Sequence, residues 1–531
     1  MIWIVLVVAL VALGYFHFER KQTEKREFFV SKGIKVNKPS YFIVTMYKII
    51  TGQMSVIQMV QGIYNEHSSS EKVIGLWDGE TPVIMLKDPE VIKHFVVKEF
   101  EHFQDRKEFL SEEMDPLFGN SLFSLREQKW RDMRATLSPA FTGSKMRQMC
   151  DFIVEIGEQM VNYLNKENKE KGPQVLEMSE FFTRVSSDVI ATCAFGINVD
   201  SLTHRNNEVY EAAKKLSDFS SPIKMIKFII YRFFPKLLIW LGIKTVDEKE
   251  ANFLRKLVVE AMKIREEQNI IRPDMIHLLM EAQKGTLTHA EVDKDTAGFA
   301  TVEQSNVGWK KTNRVWTETD IVAQCFVFLL AGFETTASTL GFASYAIGVN
   351  PEIQKRLYEE VKEVNDGLNG KRLTYDTLNK MKYLDMVISE TLRRYPPIAI
   401  IDRECNKNIT LNLYENFPWD FKKTHVCWIP IYALHLDPKH YPDPEKFDPE
   451  RFSEENKSSI NPGAYLPFGI GPRNCVGSRF ALMELKALIY FMVLNFSLEV
   501  TEKTQIPLKL ANSFGALSSE KGIYFKLRPR E

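Results

Sequence analysis

The chain has 531 residues, 44% hydrophobic and 26% charged, which excludes an intrinsically disordered protein and allows a large buried core. Lysine plus arginine and aspartate plus glutamate each total 69, so no global charge favours nucleic acid as a partner. The six cysteines form no C-x-x-C pair, which argues against a disulfide framework or a zinc site and favours a reducing compartment. No repeat and no Pro/Gly/Ser-rich linker divides the chain, so we predict one large domain.

The amino terminus begins with an apolar run. Residues 1–18 carry no formal charge with neutral histidine, and about 18 such residues suffice for a transmembrane helix. Four basic residues follow between positions 20 and 26, a charge order that predicts a signal anchor with the body of the chain in the cytosol. A cleaved signal peptide is the alternative, weakly supported by residues 12–14, but it would need its basic residues before the apolar run. We predict an anchor over 1–18 and a basic linker or hinge over 19–40.

The body of the chain carries mostly helical signals. Asn350 and Pro351 form a helix start, and the helix that follows keeps one face apolar. Strand-like alternation lies mainly in residues 72–87, 426–432 and 522–527. The predicted fold class is mainly α with small β-sheets.

Two further stretches stand out in the middle of the chain. Residues 219–243 are apolar and aromatic, but basic residues and a proline interrupt them, so they do not easily span a bilayer. They fit either an interfacial segment at the level of the lipid headgroups or a pair of core helices. Residues 285–316 are polar and irregular, which predicts a long surface loop.

One long helix is predicted after this loop. Thr317 can cap it, and residues 320–349 would extend about 45 Å at 1.5 Å per residue, enough to cross the domain. Residues 325–332 are apolar on every side, but they are too few for a membrane span and Glu334 follows, which favours a buried core helix. Positions 331–336 read Ala-Gly-Phe-Glu-Thr-Thr.

The most specific motif is Phe-Gly-Ile-Gly-Pro-Arg-Asn-Cys-Val-Gly at positions 468–477. Its glycines let the backbone turn tightly and approach a flat cofactor, and Arg473 can neutralise a carboxylate of that cofactor. Cys475 precedes a predicted helix over 479–495, whose first amides would lower the pKa of the thiol and favour a thiolate. A buried cysteine in a glycine-rich turn is the alternative, but ligation of haem iron accounts for every part of the motif.

This motif resembles the signature F-x-x-G-x-R-x-C-x-G of the cytochrome P-450 family, in which a cysteine thiolate binds haem iron. The resemblance covers nearly the whole chain. It implies a single P-450-type domain over residues 41–531 behind the anchor, with haem b as cofactor. Cys475 would be the axial ligand of the iron, and Phe468, Gly469 and Gly477 would shape the loop around the haem.

An E-x-x-R motif also matches the family. Glu390 and Arg393 fit it, and Arg451 lies in the segment that supplies a second arginine, so the three resemble the structural ion-pair triad of the family. On spacing alone, Glu390 and Arg393 would be a solvated surface salt bridge.

Four side chains resemble the contacts that the family makes with the haem propionates. Trp130 and Arg134 match W-x-x-x-R and lie one helical turn apart. Arg473 belongs to the cysteine motif. Arg403 lies after the proline pair at 396–397, and an exposed surface arginine is the alternative interpretation for it.

The long helix resembles the helix that covers the iron opposite the thiolate. Ala331 and Gly332 would form a notch in the helix, Thr335 would hold a hydroxyl and water against dioxygen, and Glu334 would relay protons. The alternative is a helix in which the threonine hydroxyls only bond back to their own backbone carbonyls.

The resemblance implies a monooxygenase that inserts one oxygen atom from dioxygen into an apolar small molecule, either a xenobiotic or an endogenous lipid. Electrons would come from NADPH through NADPH–cytochrome P-450 reductase, with cytochrome b5 as a second donor. A single-pass protein of the endoplasmic reticulum membrane is expected, with its catalytic domain in the cytosol. The predicted pocket lining is 101–125, 219–243, Val327, Phe328 and 398–401.

The sequence looks closest to the microsomal branch with insect and vertebrate xenobiotic-metabolising enzymes, with two departures. The proline-rich hinge is reduced to Gly33 and Pro39, and residues 412–423 lack an expected glycine turn. A haem-thiolate isomerase or dehydratase and a non-catalytic haem ligand carrier or sensor are alternatives. The intact motif Gly332-x-Glu334-Thr335 argues against the first, because such chemistry needs no proton relay.

Overall fold

Small sheets lie beside a helical bulk in the structure, a computed structural model, which describes residues 2–36, 45, 47–218, 221–272, 274–284, 298–302, 307, 314–512 and 516–530. The helices within these residues are α1 (Ile2–Val30), α2 (Val56–Glu66), α3 (Pro89–Lys93), α4 (Pro116–Gly119), α5 (Glu127–Leu137), α6 (Gly143–Lys171), α7 (Met178–Ile190), α8 (Glu208–Ser217), α9 (Pro222–Phe233), α10 (Pro235–Trp240), α11 (Glu248–Glu267), α12 (Met275–Gln283), α13 (Glu318–Gly348), α14 (Pro351–Gly367), α15 (Tyr375–Leu378), α16 (Lys382–Arg394), α17 (Ile431–His435) and α18 (Ser478–Asn495). The predicted class, mainly α with small sheets, is confirmed.

The strands form three small sheets. The strands are β1 (Val73–Asp78), β2 (Thr81–Leu86), β3 (Val175–Glu177), β4 (Ile401–Glu404), β5 (Ile409–Asn412), β6 (Pro418–Phe421), β7 (Val426–Ile429), β8 (Phe496–Glu499) and β9 (Tyr524–Pro529). Their orders are β1-β2-β7-β4, β3-β9-β8 and β5-β6. Strands therefore occur in all three stretches where alternation predicted them, although the second stretch continues into helix α17 from Ile431.

The hairpin of β5 and β6 forms without the expected glycine. Its strands pair antiparallel, with Ile409 opposite Phe421 and Asn412 opposite Pro418. Asn416 lies between them with a φ of 54°, a left-handed conformation that asparagine tolerates better than most residues. Asparagine thus takes the position of the missing glycine, and the departure does not disturb strand pairing.

Helix α13 passes through the helical core. Thr317 caps it in a capping box with Asp320, as the sequence predicted. Among the described residues, it alone is long and apolar enough to cross a membrane, but more than half of it is buried inside the protein. Its buried residues belong to the same core as those of α7 and α18, so it is a core helix.

Helix α1 continues beyond the predicted anchor. It spans residues 2–30 without interruption, so the predicted boundary at residue 18 does not coincide with a helix end. Gly33 follows in a turn with a φ of 80°, whereas Pro39 lies outside the described residues. The first part of the predicted linker is therefore helical.

Residues 219–243 contain two short helices, α9 and α10, and positions 219 and 220 lie outside the described residues. Phe228 and Leu238 are buried. Trp240, Ile223 and Ile226 are exposed by 81%, 67% and 56% of their surface, too much apolar surface for ordinary core helices. Of the two interpretations of this stretch, the interfacial segment fits better.

Parts of the predicted surface loop at 285–316 lie outside the described residues, namely 285–297, 303–306 and 308–313. Its described parts pack against the domain. Phe299 contacts the rings of Phe452 and Tyr465 at centroid distances of 5.1 and 5.4 Å. Trp316 is buried, and its indole nitrogen donates to Thr136 at 3.1 Å.

Candidate haem site

The loop that carries Cys475 is held by its own backbone. Gly469 and Gly471 have φ values of 73° and 76°, and a Cβ on Gly471 would collide with the carbonyl oxygen of Val96. The Cys475 amide donates to the Phe468 carbonyl at 2.9 Å. Gly477 has a φ of −93°, and a Cβ there would make only ordinary van der Waals contact with Phe141, so the tight turn predicted for the glycines applies only to the first two.

Cys475 lies three residues before Ser478, the first residue of α18, and two before the N-cap Gly477. Its side chain is exposed, yet burial raises the pKa of its thiol, so it faces an enclosed space inside the protein. A backbone hydrogen bond from Gly477 and the charges of Arg134 and Arg106 lower this pKa, but burial outweighs them. The amide at the helix start thus lowers the pKa of the thiol in the predicted direction, while burial raises it by more.

Trp130, Arg134 and Arg473 lie against this loop, as their motifs predicted. Arg134 donates to the carbonyl oxygen and to Oδ1 of Asn474, both at 2.8 Å. The Arg473 guanidinium lies 4.7 Å from the centre of the Trp130 ring and donates to the carbonyls of Gln104 and Leu125. All three side chains are buried.

Arg403 is also fully buried, which excludes the alternative of an exposed surface arginine. It donates to the Asp402 carbonyl at 2.7 Å, while its Nε and Nη2 have no hydrogen-bond partner. Burial and the charge of Arg106 lower its pKa to about 9. A guanidinium in this state strongly favours a nearby anion.

Sequence analysis missed Arg106, which joins the same cluster. Its charge acts on Arg403, Arg473 and Cys475, and its Nε is buried without a partner. The segment around it carries no spacing motif, so only the tertiary approach of residue 106 to the cysteine loop reveals it.

The cluster carries more positive than negative charge. Its five arginines, at 106, 126, 134, 403 and 473, face four carboxylates, those of Asp105, Glu108, Asp402 and Glu404. The Nε atoms of Arg134 and Arg473 are also buried without partners. Haem b carries two propionates, so both the charge and the unpartnered donors fit this cofactor, with Cys475 placed as the thiolate ligand.

Glu390 and Arg393 form a buried pair. Arg393 donates to both carboxylate oxygens of Glu390, at 2.6 and 2.8 Å, and both side chains are fully buried. The Arg451 Nε lies 3.5 Å from Glu390, so the three side chains group as the family resemblance implies. The interpretation as a solvated surface salt bridge is excluded by burial.

His435 connects this pair to the cysteine loop, a role that no motif indicated. Burial keeps the imidazole neutral by lowering its pKa to about 3. Its Nδ1 lies 3.1 Å from the Arg393 carbonyl and its Nε2 accepts from the Leu466 amide at 2.8 Å. Because a carbonyl can only accept, Nδ1 carries the proton. Leu466 lies two residues before Phe468, so the ion pair supports the start of the loop.

One face of α13 is accessible in the middle of an otherwise buried helix. Val327, Ala331 and Thr335 lie on this face at four-residue spacing, and none of them is fully buried. The Thr335 hydroxyl donates to the Ala331 carbonyl at 2.5 Å, which is the bond that the alternative interpretation proposed. Its oxygen keeps lone pairs with which it can accept a hydrogen bond from a molecule in the enclosed space.

Gly332 and Glu334 lie on other sides of the same turn. A Cβ on Gly332 would lie 2.6 Å from Ile190 of α7, so this glycine permits close packing of two helices rather than a notch toward the cofactor. The Glu334 side chain is accessible, but burial, with a smaller contribution from Asp218, raises its pKa to about 7. Glu334 can therefore gain and lose a proton near neutral pH.

Phe141 links α13 to the cysteine loop. Its ring stacks on Phe328 at 5.7 Å and lies 3.6 Å from the Cβ position of Gly477. Phe328 precedes Ala331 by less than one turn. Phe141 therefore lies between α13 and the end of the cysteine loop.

Aromatic side chains from two of the predicted lining segments pack on each other and on α13. Phe118 contacts Phe109, Phe123 and Phe326 at centroid distances of 5.4 to 6.5 Å, and Phe109 contacts Phe228 of α9 at 4.5 Å. The predicted segments 101–125 and 219–243 therefore meet each other and α13. Such a lining favours apolar ligands.

The comparisons with known proteins agree with this arrangement. The family profile described as Cytochrome P450 matches residues 37–527. "Probable cytochrome P450 9f2" from Drosophila melanogaster is 39% identical over 98% of this chain and 99% of its own length. "Cytochrome P450 9e2" from Blattella germanica is 39% identical over 96% and 95%. "Cytochrome P450 3A11" from Mus musculus is 36% identical over 100% and 97%.

The fold, the cysteine loop and the arginine cluster together define a haem-thiolate protein. The chain belongs to the cytochrome P450 family. Its cofactor is haem b and its activity is that of a monooxygenase. The predicted resemblance to insect and vertebrate members is confirmed by relatives from both groups.

Proposed function

We propose that the protein is a membrane-bound monooxygenase that inserts one oxygen atom from dioxygen into apolar xenobiotics or endogenous lipids. The supporting observations are an accessible cysteine, an accessible Thr335 on α13, the Phe141 contact that joins these two elements, and an aromatic lining beside α13. When bound, haem with a thiolate ligand supplies the redox chemistry with dioxygen.

The residues around the haem would have separate roles. Cys475 would bind the iron, and the residues that would hold the propionates are Trp130, Arg134, Arg403, Arg473 and Arg106. Phe468, Gly469 and Gly477 would shape the loop, and Ala331, on the accessible face of α13, would set the distance of this helix from the cofactor, while Gly332 lets α13 pack closely on α7. The excess positive charge of the arginine cluster and its buried nitrogens without hydrogen-bond partners support this assignment.

Thr335 and Glu334 would handle the protons of the reaction. Thr335 Oγ1 can accept a hydrogen bond from water or substrate in the interior, and Glu334, with a pKa of about 7, can deliver protons from outside. This pair also favours the monooxygenase over an isomerase or dehydratase, which consumes no protons.

The membrane assignment is supported by apolar surface at two places. Helix α1 begins at Ile2 and covers nearly all of the apolar run predicted over 1–18, and α9–α10 expose Ile223, Ile226 and Trp240. We propose a single-pass anchor in the endoplasmic reticulum membrane and a catalytic domain that faces the cytosol and takes substrate from the bilayer surface.

Electrons would come from NADPH through NADPH–cytochrome P450 reductase, with cytochrome b5 as a second donor. Basic side chains near the cysteine loop are candidate docking residues, but several already have acidic partners. Lys129 lies 3.0 Å from Asp320, and Arg131 lies 2.6 Å from Glu101. A docking patch would therefore use charges that are partly neutralised within the chain.

The proposal is tested by carbon monoxide spectra and turnover of the protein and its Cys475→His variant, each reconstituted with the reductase. We expect the reduced, carbon monoxide-treated protein to absorb as a thiolate-ligated pigment, and Cys475→His as an imidazole-ligated one without turnover. NADPH should be consumed in proportion to product from a panel of apolar compounds. Product formed from a peroxide substrate without NADPH, reductase and dioxygen would support an isomerase, and no substrate-dependent NADPH consumption would support a carrier.

A further inference from the structure

The end of α1 is part of the core of the sheet β1-β2-β7-β4. Phe29 is fully buried and stacks on Trp419 with ring centres 5.6 Å apart and planes 13° apart. A Cβ on Gly75 of β1 would lie 2.5 Å from the Phe29 ring, so the glycine provides the space for this side chain. The Gly75 amide donates to the Lys35 carbonyl at 2.8 Å.

Polar contacts hold the preceding turn of the helix. Trp77 Nε1 donates to the carbonyl of Lys25 at 2.9 Å, and Lys25 Nζ donates to the Gly79 carbonyl at 2.8 Å and to Glu80 at 2.9 Å. Just beyond the end of the helix at Val30, Lys32 Nζ lies 4.5 Å from the centre of the Trp419 ring. Contacts on two turns fix both the position of the helix and its rotation about its axis.

These contacts place the sheet close to any membrane that holds residues 1–18. Phe18 and Phe29 are 11 residues apart on one continuous helix, so the buried ring lies at most about 16 Å from the end of the apolar run. The headgroup region on one side of a bilayer is roughly 5–8 Å thick. The turn between β1 and β2 would therefore lie just above the headgroups.

A continuous series of contacts joins this turn to α9. Asp78 pairs with Lys107 at 2.7 Å, and Phe109, two residues later, packs on Phe228 of α9. The Ser111 amide donates to the Tyr231 hydroxyl at 3.0 Å. The docked end of α1 and the exposed apolar face of α9–α10 are thus parts of one packed assembly.

We propose that α1 is a docked strut rather than a flexible tether. It sets the height and tilt of the catalytic domain, and it keeps the apolar face of α9–α10 at the same membrane surface. This inference rests on the membrane attachment in the proposed function, because a strut needs a bilayer in which to stand.

The experiment uses the full-length, haem-loaded protein in phospholipid nanodiscs and in oriented bilayers. The double variant Lys25→Ala/Phe28→Ala removes the Gly79 and Glu80 contacts and the edge-on contacts of Phe28 with Trp77 and Trp419, while it leaves buried Phe29 in place. The matched control is Arg26→Ala/Glu27→Ala, at exposed positions on the same helix. Hydrogen–deuterium exchange of residues 19–30 and linear dichroism of the haem are measured for all three proteins.

We expect amides 25–30 to exchange at least tenfold faster in the double variant, and the haem dichroism to fall toward the isotropic value. The control should stay within twofold of the original protein, and the haem absorption should be unchanged in both variants. Equal exchange and equal dichroism in the double variant would overturn the strut. If the original protein fails to remain with membranes after an alkaline wash, the membrane attachment is wrong, whatever the exchange of 19–30 shows.

Discussion

Arg134 holds Asn474, which immediately precedes the proposed haem ligand Cys475: its two terminal nitrogens donate to the carbonyl oxygen and the side-chain oxygen of Asn474, both at 2.8 Å. Its Nε has no partner within the polypeptide. One side chain thus fixes the backbone beside Cys475 and keeps a donor for the cofactor.

The Arg134→Ala variant should lose haem. It leaves the buried Asn474 oxygens without these donors and removes one charge that faces the propionates, a loss of about 2–3 kcal/mol. At 1.4 kcal/mol for each factor of ten, haem affinity should fall roughly 30- to 100-fold. The measurement is transfer of haem to apomyoglobin. Arg131→Ala, on the same helix but paired with Glu101, is the control and should retain haem normally.

The buried Glu390–Arg393 pair should matter for folding rather than for the reaction. In Glu390→Gln, the buried charge of Arg393 keeps only carbonyl partners, and the charge of Arg451 remains close by. Leaving these charges without the carboxylate should cost about 3–5 kcal/mol of folding stability. We expect little soluble, haem-loaded protein from this variant. An exposed pair, Arg372 with Glu158 at 2.9 Å, provides the comparison, and Glu158→Gln should change stability by less than about 1 kcal/mol. Equal yields from both variants would contradict the structural role.

The sequence revealed those parts of the site that are continuous in the chain. The cysteine loop, the E-x-x-R pair and the threonine turn of α13 were found because each is a short string with one spacing. Arg106 was not found, because its role arises only when the segment before α4 folds against the cysteine loop. The roles of Gly332 and Asn416 also escaped, since one depends on the approach of Ile190 and the other on a left-handed backbone.

Thr335→Ala should separate electron consumption from product formation. The Thr335 hydroxyl can accept a hydrogen bond from water or substrate in the interior. Without this hydroxyl, proton delivery to dioxygen is less well directed, so more of the consumed electrons end up in hydrogen peroxide. We expect a severalfold larger share of NADPH to appear as hydrogen peroxide, with haem content unchanged. Thr339→Ala, one turn further along the same helix, is the control. Unchanged coupling in Thr335→Ala would remove this residue from the reaction.

Glu334 should make turnover depend on pH. Its pKa is raised to about 7, chiefly by burial, so the protonated acid dominates below pH 7 and is lost as pH rises through 7. If the acid delivers protons, turnover should decline between about pH 6 and 8 in the original protein. Glu334→Gln should be slower by about tenfold or more and nearly independent of pH in this interval. A decline of the same shape in Glu334→Gln would assign the pH dependence to another group.

Glu484 should destabilise the fold as pH rises. This residue of α18 is 1% exposed, its Oε1 has no partner, and burial raises its pKa from an ordinary value near 4.5 to about 8, against a smaller opposing effect of Ser186. The folded protein therefore retains the proton up to about pH 8, whereas the unfolded chain releases it from about pH 4.5 upward. Its contribution to stability is present below pH 4.5 and is lost between the two values.

Glu484→Gln stays neutral in both states, so it should remove this loss. We expect its melting temperature, followed by far-ultraviolet circular dichroism, to exceed that of the original protein at pH 8 by about 2–4 °C. At pH 5 the difference should be small. Glu180→Gln, at an exposed glutamate of α7, should leave the melting temperature unchanged at both values. If Glu484→Gln instead melts at a lower temperature than the original protein at pH 8, but not at pH 5, then the buried carboxyl is ionised and paired in the folded protein.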